Sequence, residues 1–385
     1  MAPQASQVPL GTVLVIGGCG FMGAHLVYEL LCDPLVTHVA VFSRKPNVNR
    51  HAGASYHSGD IRSRARIKEL LEELKPRVIF HSASPGPFDD PPNLAAFRIV
   101  NIDGTANVLA CATEAESVQA LVFTSSLTAV LLDKNGECFD ADEEAPIYEG
   151  PITKKDPYSQ SKSVADKMVR QANNRLPPGK GGLRTGCIRI PGIYGEGDEN
   201  FIATAMFMAK WGLSRFQLGD NKNLFAPVYV GNAVFGHVLL AKALVASATN
   251  STSTTAVAAP KVDGEAFHVT DGISLPFWNF MWKLYAAAGS PQNEKTVWVV
   301  PTWLIYIVAA VAEWFYWVIF RGQRRPQILI RGKLGHACLT RTYSVEKARK
   351  LLGWYPRIGV DEAAERSVKF ALKEAEAKAG GVKKA

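Results

Sequence analysis

The chain lacks any spacing of cysteines that would hold a metal. Its six cysteines, Cys19, Cys32, Cys111, Cys138, Cys187 and Cys338, are scattered with no C-x-x-C. No apolar leader with a cleavage site opens the sequence, so the expectation is a reducing, cytosol-facing compartment and no metal centre. Internal repeats are absent too, which excludes solenoids and propellers. An excess of charge is missing: 20% of residues are charged and 47% hydrophobic, which excludes a disordered chain. Clustered basic residues are nearly absent despite a net charge of +8 and a pI near 9.1. The one knot, Arg321, Arg324, Arg325 and Arg331, follows directly on a very apolar run, which points to a membrane surface and not to nucleic acid. Asn250-Ser251-Thr252 matches a glycosylation acceptor by chance, inside a low-complexity stretch at 246–261.

What is present is an alternation. Short β-rich runs at 12–16, 39–42, 55–57, 78–81, 121–124 and 186–190 are separated by helical patterns such as Ile67, Leu70, Leu71 and Leu74, spaced for one buried face. This predicts an α/β fold: a Rossmann-type, doubly wound parallel sheet over residues 1–190. Residues 191–385 are expected to form a smaller, mixed substrate lobe, with a late strand at 265–269, a short helix at 346–352 and a C-terminal packing segment.

The first strand runs into Gly17-Gly18-Cys19-Gly20-Phe21-Met22-Gly23 and then a helix. Gly17 permits the tight turn, Gly20 lets the backbone approach a pyrophosphate, and Gly23 lets helix and strand pack closely. Cofactor choice is read about twenty residues on, where an acid would bind the ribose of NAD. Here the second strand ends in Ser43-Arg44-Lys45. With no carboxylate to repel a 2′-phosphate and Arg44 to grip it, NADP is expected, with NAD as the runner-up. Asp60 is placed either to accept a bond from the adenine or to cap the helix near Ser63.

Tyr158-Ser159-Gln160-Ser161-Lys162 is a Y-x-x-x-K that puts phenol and ammonium on one helix face. Positive charge from Lys162 and an oxidised nicotinamide would draw the phenol toward neutral working pH. The bare pattern is common: Tyr343-Ser344-Val345-Glu346-Lys347 also fits, but lies in the packing segment. Tyr158 is preferred because the preceding strand ends in Thr124-Ser125-Ser126, at the sheet edge where such folds bind ligands. Ser126 is favoured over Ser125 as the donor to a substrate oxygen.

The strings GGCGFMG, GDIR, VIFHSASP, NIDGTANVLACA, VFTSS, YSQSK, RIPGIYGEGD, NLFAPVYVGNA, GEAFHVTDG and KARKLLGWYPR, taken in order, resemble the extended short-chain dehydrogenases. Within them the resemblance is to the 3β-hydroxysteroid dehydrogenase group, most of all the decarboxylating sterol-4α-carboxylate 3-dehydrogenases. The resemblance implies a catalytic triad of Ser126, Tyr158 and Lys162. It also implies a dinucleotide site built from Gly17, Gly20, Phe21, Met22, Gly23, Ser43, Arg44, Asp60, Ile61 and Ser125, with Ser82, Ala83 and Ser84 bordering the nicotinamide ribose and Tyr158 and Lys162 reaching it. Oxidation of a sterol 3β-hydroxyl, with loss of a 4α-carboxyl as CO2, would follow, at the cytosolic face of the endoplasmic reticulum or a lipid droplet. A homodimer or a sterol-synthesis complex would be the assembly.

Three departures from the family pattern leave a diverged oxidoreductase of triterpenoid or other secondary metabolism open. Pro191 is shifted by one place, Ala226 and Gly231 stand where acids are favoured, and Ser43-Arg44 replaces an acidic strand end. A carbonyl reductase, a sugar-nucleotide epimerase and a redox sensor that binds NADP without turnover are the other readings; the intact triad counts against the sensor.

Residues 302–320, TWLIYIVAAVAEWFYWVIF, carry one charge, Glu313. As a helix they would reach ~28 Å, enough for a bilayer core. A single crossing would strand KARKLLGWYPR on the far side from the nucleotide domain, so a monotopic or re-entrant anchor is expected, with a buried helix over the substrate pocket as the alternative.

Overall fold

The computed structural model describes residues 8–86, 94–153, 156–174, 182–249, 261–321, 326 and 331–382. The acceptor at Asn250, most of the low-complexity stretch, and Arg324 and Arg325 of the basic knot lie outside them.

Seven strands form one sheet: β1 (Gly11–Ile16), β2 (Val36–Ser43), β3 (Ala54–Ser58), β4 (Val78–His81), β5 (Ala120–Ser126), β6 (Arg184–Ile190) and β7 (Glu265–His268). Their spatial order is β7-β6-β5-β4-β1-β2-β3, with every neighbouring pair parallel. The order reverses between β1 and β4, the switch point where doubly wound sheets bind ligands. Successive residues of β1 enter opposite cores: Val13 and Val15 join one cluster, Leu14 and Ile16 the other. Because both faces are covered, β4 and β5 are buried along their whole length, which is why they read as continuous runs.

The main helices are α1 (Phe21–Leu31), α2 (Arg64–Leu74), α3 (Thr105–Glu114), α4 (Pro157–Gln171), α5 (Phe201–Lys210), α6 (Val230–Thr249), α7 (Phe277–Ala287) and α8 (Thr302–Phe320), of which α1, α2, α3, α4 and α6 cover the sheet. A π-helical turn, Arg98–Gly104, leads into α3. The anticipated face of α2 is present, with Ile67, Leu70 and Leu71 buried and Leu74 packed partly against them. The seventh strand and α6, which lies against β5 and β6, come from beyond residue 190, so the second half of the chain completes the sheet.

Among the described residues two helices are long and apolar enough to cross a membrane, and they have opposite environments. The segment 230–248 within α6 is two-thirds buried; α8 is 6% buried. Only Ala309 of α8 is fully buried, while Trp303, Trp314 and Trp317 are each more than 60% exposed. The alternative of a helix buried over the pocket is therefore corrected: no partner surface among the described residues covers α8. Both of its flanks are held in the same body. Trp298–Val300 pairs with Phe216–Leu218, and Arg341–Tyr343 pairs with Cys138–Ala141. Further on, Trp354 is fully buried, with its indole N–H on Asn232 O at 3.2 Å, and Arg357 reaches Glu29 of α1 at 2.6 Å. The C-terminal segment thus contacts both α6 and α1.

Three histidines are buried as neutral rings. Burial drives His81 and His268 to about 3 and His237 to about 4, from 6.5. Asp198 and Asp271 are pushed the other way by burial, from 3.8 to about 6. Below pH 6.5 the unfolded chain binds protons that the folded histidines refuse, so acid removes stability; between pH 6 and 3.8 the two aspartates oppose this. Three larger shifts outweigh two smaller ones, by roughly 3 kcal/mol between pH 7 and pH 5. The melting temperature is expected to fall by about 4 °C over that interval. A flat or rising Tm in a calorimetric series would contradict this assignment.

Candidate active site

The glycine turn is shaped by what a side chain would strike. Gly17 sits at φ +87°, its N–H donates to Phe42 O at 2.9 Å, and a Cβ there would lie 2.7 Å from Ala83 N. At Gly23 a Cβ would lie 2.2 Å from Gly17 O. The turn is therefore pressed against Ser82 and Ala83, and Ser82 answers by donating its N–H and its Oγ to Ile16 O, at 2.9 and 3.0 Å. Gly20 is exposed and begins α1 without a side-chain cap. The first-turn amides of Phe21, Met22 and Gly23, which a helix cannot satisfy internally, are thus left for an anion. No acid stands in that first turn, and Asn49 Nδ2 braces the turn at Cys19 O, 3.0 Å away. These features fit a dinucleotide pyrophosphate.

At the end of β2, Ser43 O accepts Gly59 N at 3.1 Å, which joins the Ser43-Arg44 corner to Asp60. Asp60 takes Arg62 N and the Arg62 guanidinium, each at 2.9 Å. Burial works against its charge, but these bonds, with Arg62 and Arg44 nearby, hold its carboxyl below the usual range. The cap of α2 is Ser63, whose Oγ accepts Arg66 N at 3.3 Å, so Asp60 is not that cap. Ile61 is buried and its carbonyl takes Asn107 Nδ2 at 3.1 Å. Ser84 Oγ is spent locally, on Pro85 O at 3.0 Å.

Tyr158 is fixed by the start of α4. Asp156 is the N-cap, accepting Ser159 N at 3.2 Å, and Pro157 opens the helix. This aims the phenol at the side chain of Ser126, whose Oγ lies 2.9 Å from Thr128 Oγ1. Phe97 meets the Tyr158 ring edge-on at 5.9 Å. One turn later Lys162, 3% exposed, donates Nζ to Thr124 O at 2.9 Å and stands 5.0 Å from the Phe123 ring. The four-residue spacing therefore brings phenol and ammonium to the carboxyl end of β5. Burial pushes the phenol up to about 12, against the lowering effect of the Ser126 bond, and pushes the ammonium down to about 8.

Alternation along β5 separates the two serines. Ser126 faces Tyr158, whereas Ser125 Oγ donates to Asp166 Oδ2 at 2.7 Å. Asp166 is also gripped through two bonds from Arg189 and one from Arg170, all at 2.9 Å. Ser125 is thus committed to a buried ion cluster and not to a ligand. The second Y-x-x-x-K is structural: Tyr343 meets His268 edge-on and Lys347 pairs with Glu265 at 2.9 Å.

Asn101 went unrecognised as a site residue. It lies in the π-helical turn, buried, donating to Ser161 Oγ at 2.9 Å, with its Oδ1 unpartnered among the described residues. Its only signal in the sequence is its place in NIDGTANVLACA. Beyond the ends of β5 and β6 lies a shallow cleft, partly open to solvent, with Leu127, Thr128, Pro191, Phe225 and Ala226 in its wall. Thr128 joins this cleft to Ser126.

With this geometry in place, comparison with known proteins is informative. At the level of fold, UDP-glucose 4-epimerase from Thermus thermophilus, solved in complex with NAD, superposes with a TM-score of 0.62 at 22% identity, covering 93% of this chain and 98% of that one. The dTDP-glucose 4,6-dehydratase of Bacillus anthracis, also with NAD, gives 0.63 at 18% identity, over 95% and 97%. By sequence, the decarboxylating sterol-4-alpha-carboxylate 3-dehydrogenase of Schizosaccharomyces pombe is 31% identical over 94% of this chain and 97% of its own length. The human enzyme of that name is 30% identical over 92% and 86%. The sequence pattern of the 3-beta hydroxysteroid dehydrogenase/isomerase family matches residues 14–301, and the chain belongs to that family.

Proposed function

We propose that this protein oxidises the 3β-hydroxyl of a sterol 4α-carboxylate to the 3-ketone, after which the 4-carboxyl leaves as CO2. The observation that carries the reading is the Tyr158–Ser126 pair at the mouth of an apolar cleft, beside a glycine turn that fits a dinucleotide. The curated relatives named for this reaction over most of their length support the substrate. When bound, a nicotinamide supplies the acceptor for the hydride that leaves C3.

The chain's own part is proton transfer and orientation. Ser126 donates a hydrogen bond to the substrate oxygen, and Tyr158, ionised to its phenolate, takes the hydroxyl proton and becomes the phenol as the C3–H bond breaks. A phenol at about 12 is scarcely ionised near neutrality, so positive charge beside it is needed to favour the phenolate. Lys162, held under Thr124 O, is the nearest built-in source of that charge on the helix face. Gly17, Gly20, Phe21, Met22 and Gly23 hold the pyrophosphate, and Ser82, Ala83 and Ser84 line the approach to the ribose. The product is a β-keto acid: the C4–CO2 bond breaks, its electron pair moves into the C3 oxygen as an enolate, and C4 then takes a proton. The same hydroxyls of Ser126 and Tyr158 face that oxyanion. In this reading the sheet with its glycine turn binds the cofactor, and residues 191–385 supply most of the substrate wall.

For the cofactor we favour NADP, because Arg44 is exposed at the end of β2 and no acid replaces it. For location we favour an in-plane anchor on the cytosolic face of the endoplasmic reticulum membrane. The exposed Trp303, Trp314 and Trp317 with Arg321 at the helix end suit an interface, and both flanks of α8 return to one body. A sensor without turnover is not favoured, since it has no use for the Tyr158–Ser126 pair.

Three measurements test these points. Purified protein given a 3β-hydroxysterol with a 4α-carboxyl should reduce cofactor and release CO2 in equal amounts, and Tyr158→Phe should lose at least ~100-fold in kcat while binding cofactor within about threefold. Retention of a tenth of the activity by that variant removes the mechanism. NADP should exceed NAD in kcat/KM, with Arg44→Ala narrowing the gap about tenfold or more; a tenfold preference for NAD in the unaltered protein defeats the choice. In flotation with vesicles containing anionic lipid, the protein should rise with the membrane and the triple variant Trp303→Glu, Trp314→Glu, Trp317→Glu should stay below; equal flotation defeats the anchor.

A further inference from the structure

We propose that Arg341 selects the substrate by pairing with a carboxylate carried on the carbon next to the reacting hydroxyl. The proposal rests on the function read above and adds a residue that no feature of the glycine turn or the Tyr158 helix supplies.

Among the described residues, Arg341 is the one cation in the wall of the cleft beside Ser126. Its neighbours there are uncharged: Leu127, Thr128, Pro191, Phe225 and Ala226. Among the described residues its only bond is from Nε to Gly136 O, at 3.2 Å, and it makes no ion pair. Several other shielded cations are paired with carboxylates, whereas Lys162 rests on a carbonyl and Arg77 on Gln119. Arg189 is gripped by Asp166, Lys242 by Asp33 and Lys347 by Glu265. A guanidinium facing an apolar cleft with its Nη donors unspent is an incomplete site, and a planar carboxylate is the group that completes it through two parallel bonds.

Its placement suits a group on the neighbouring carbon. The cleft opens directly beyond the ends of β5 and β6, where Ser126 and Ile190 close the strands. Thr128, in the cleft wall, stands 2.9 Å from Ser126 Oγ, so a hydroxyl held by Ser126 lies at the cleft's inner edge. A substituent one carbon away then points along the wall toward Arg341. The arginine is also rigidly carried. It opens the strand Arg341–Tyr343, paired on one side with Phe225 and on the other with Cys138. The carboxylate is read before it is lost, and its departure as CO2 removes the group that Arg341 holds, which favours release of the ketone.

The test compares the full-length protein with Arg341→Gln and Arg341→Lys on a matched pair: a 4α-carboxy-3β-hydroxysterol and its 4α-methyl counterpart. The ratio of kcat/KM, carboxylate over methyl, should fall at least about tenfold in Arg341→Gln, through KM, and recover in part in Arg341→Lys, which keeps the charge. Equilibrium binding of the two sterols, measured by calorimetry without turnover, should lose its preference for the carboxylate by a similar factor. An unchanged ratio, equal losses on both sterols, or a loss confined to cofactor KM overturns the proposal. If the unaltered protein turns over neither sterol, the functional reading fails by itself. The binding comparison then decides alone: a carboxylate preference that Arg341→Gln abolishes upholds the proposal, and no preference overturns it.

Discussion

The bond from Lys162 Nζ to Thr124 O is the constraint on which the site depends, because it ties α4 across the carboxyl end of the central strand. An ammonium 3% exposed has few ways to be solvated, and burial has already moved it down to about 8. The Thr124 carbonyl and the Phe123 ring replace water as its partners. With that turn of helix fixed, Asp156 and Pro157 determine where the helix begins, and Tyr158, one residue on, can only present its phenol toward Ser126. The Asp166 cluster, one turn further, clamps the same helix to β5 through Ser125 and to β6 through Arg189. Two consecutive turns of α4 therefore hold to the sheet through different chemistries, an ammonium on a carbonyl and a carboxylate on a guanidinium, and the turn before them sets the phenol beside Ser126.

How much of this the sequence discloses depends on the range of the interaction. The glycine turn is legible because each glycine answers a local steric demand, which the close approaches at Gly17 and Gly23 verify. The strands are legible because both faces of the sheet are covered, so burial leaves a continuous apolar run. The end of β5 is less so: it extends through Ser125 and Ser126, two hydroxyls that propensity assigns to a turn, because each finds a partner on its own face. In the fold, alternation along the strand sets Ser126 beside Tyr158 and sends Ser125 to Asp166. Asn101 escaped because a π-helical turn breaks the periodicity that would place its side chain. Arg341 escaped for another reason. Its strand pairs with residues some two hundred positions earlier, and nothing local marks such a pairing.

Composition equates α6 and α8, yet only the fold tells them apart. Both satisfy the same length and hydropathy test, and α6 is apolar all round because sheet and α1 enclose it. For α8 no such enclosure exists among the described residues, so the same apolar circumference becomes a cost in water. That cost is large: leaving several tryptophan and aliphatic side chains exposed forfeits ~1.5–3 kcal/mol for each one that a lipid interface would take up. A helix whose two flanks pair into one globular body has no free end to thread across a bilayer, and this is what favours the proposed in-plane anchor over a crossing.

On the anchor reading, the same geometry sets the terms on which an amphiphilic acid enters the cleft. Its apolar rings move from one low-dielectric medium to another and gain little, so affinity for the rings alone is weak. The carboxylate moves from the wet interface to a nearly uncharged cleft, where an unpaired anion is costly and a paired one is not. Discrimination therefore concentrates on the single charged contact, and an uncharged analogue, which avoids the cost, also forgoes the bond. A cleft with one guanidinium and no counter-charge in its wall is selective because so little else in it distinguishes one sterol from another.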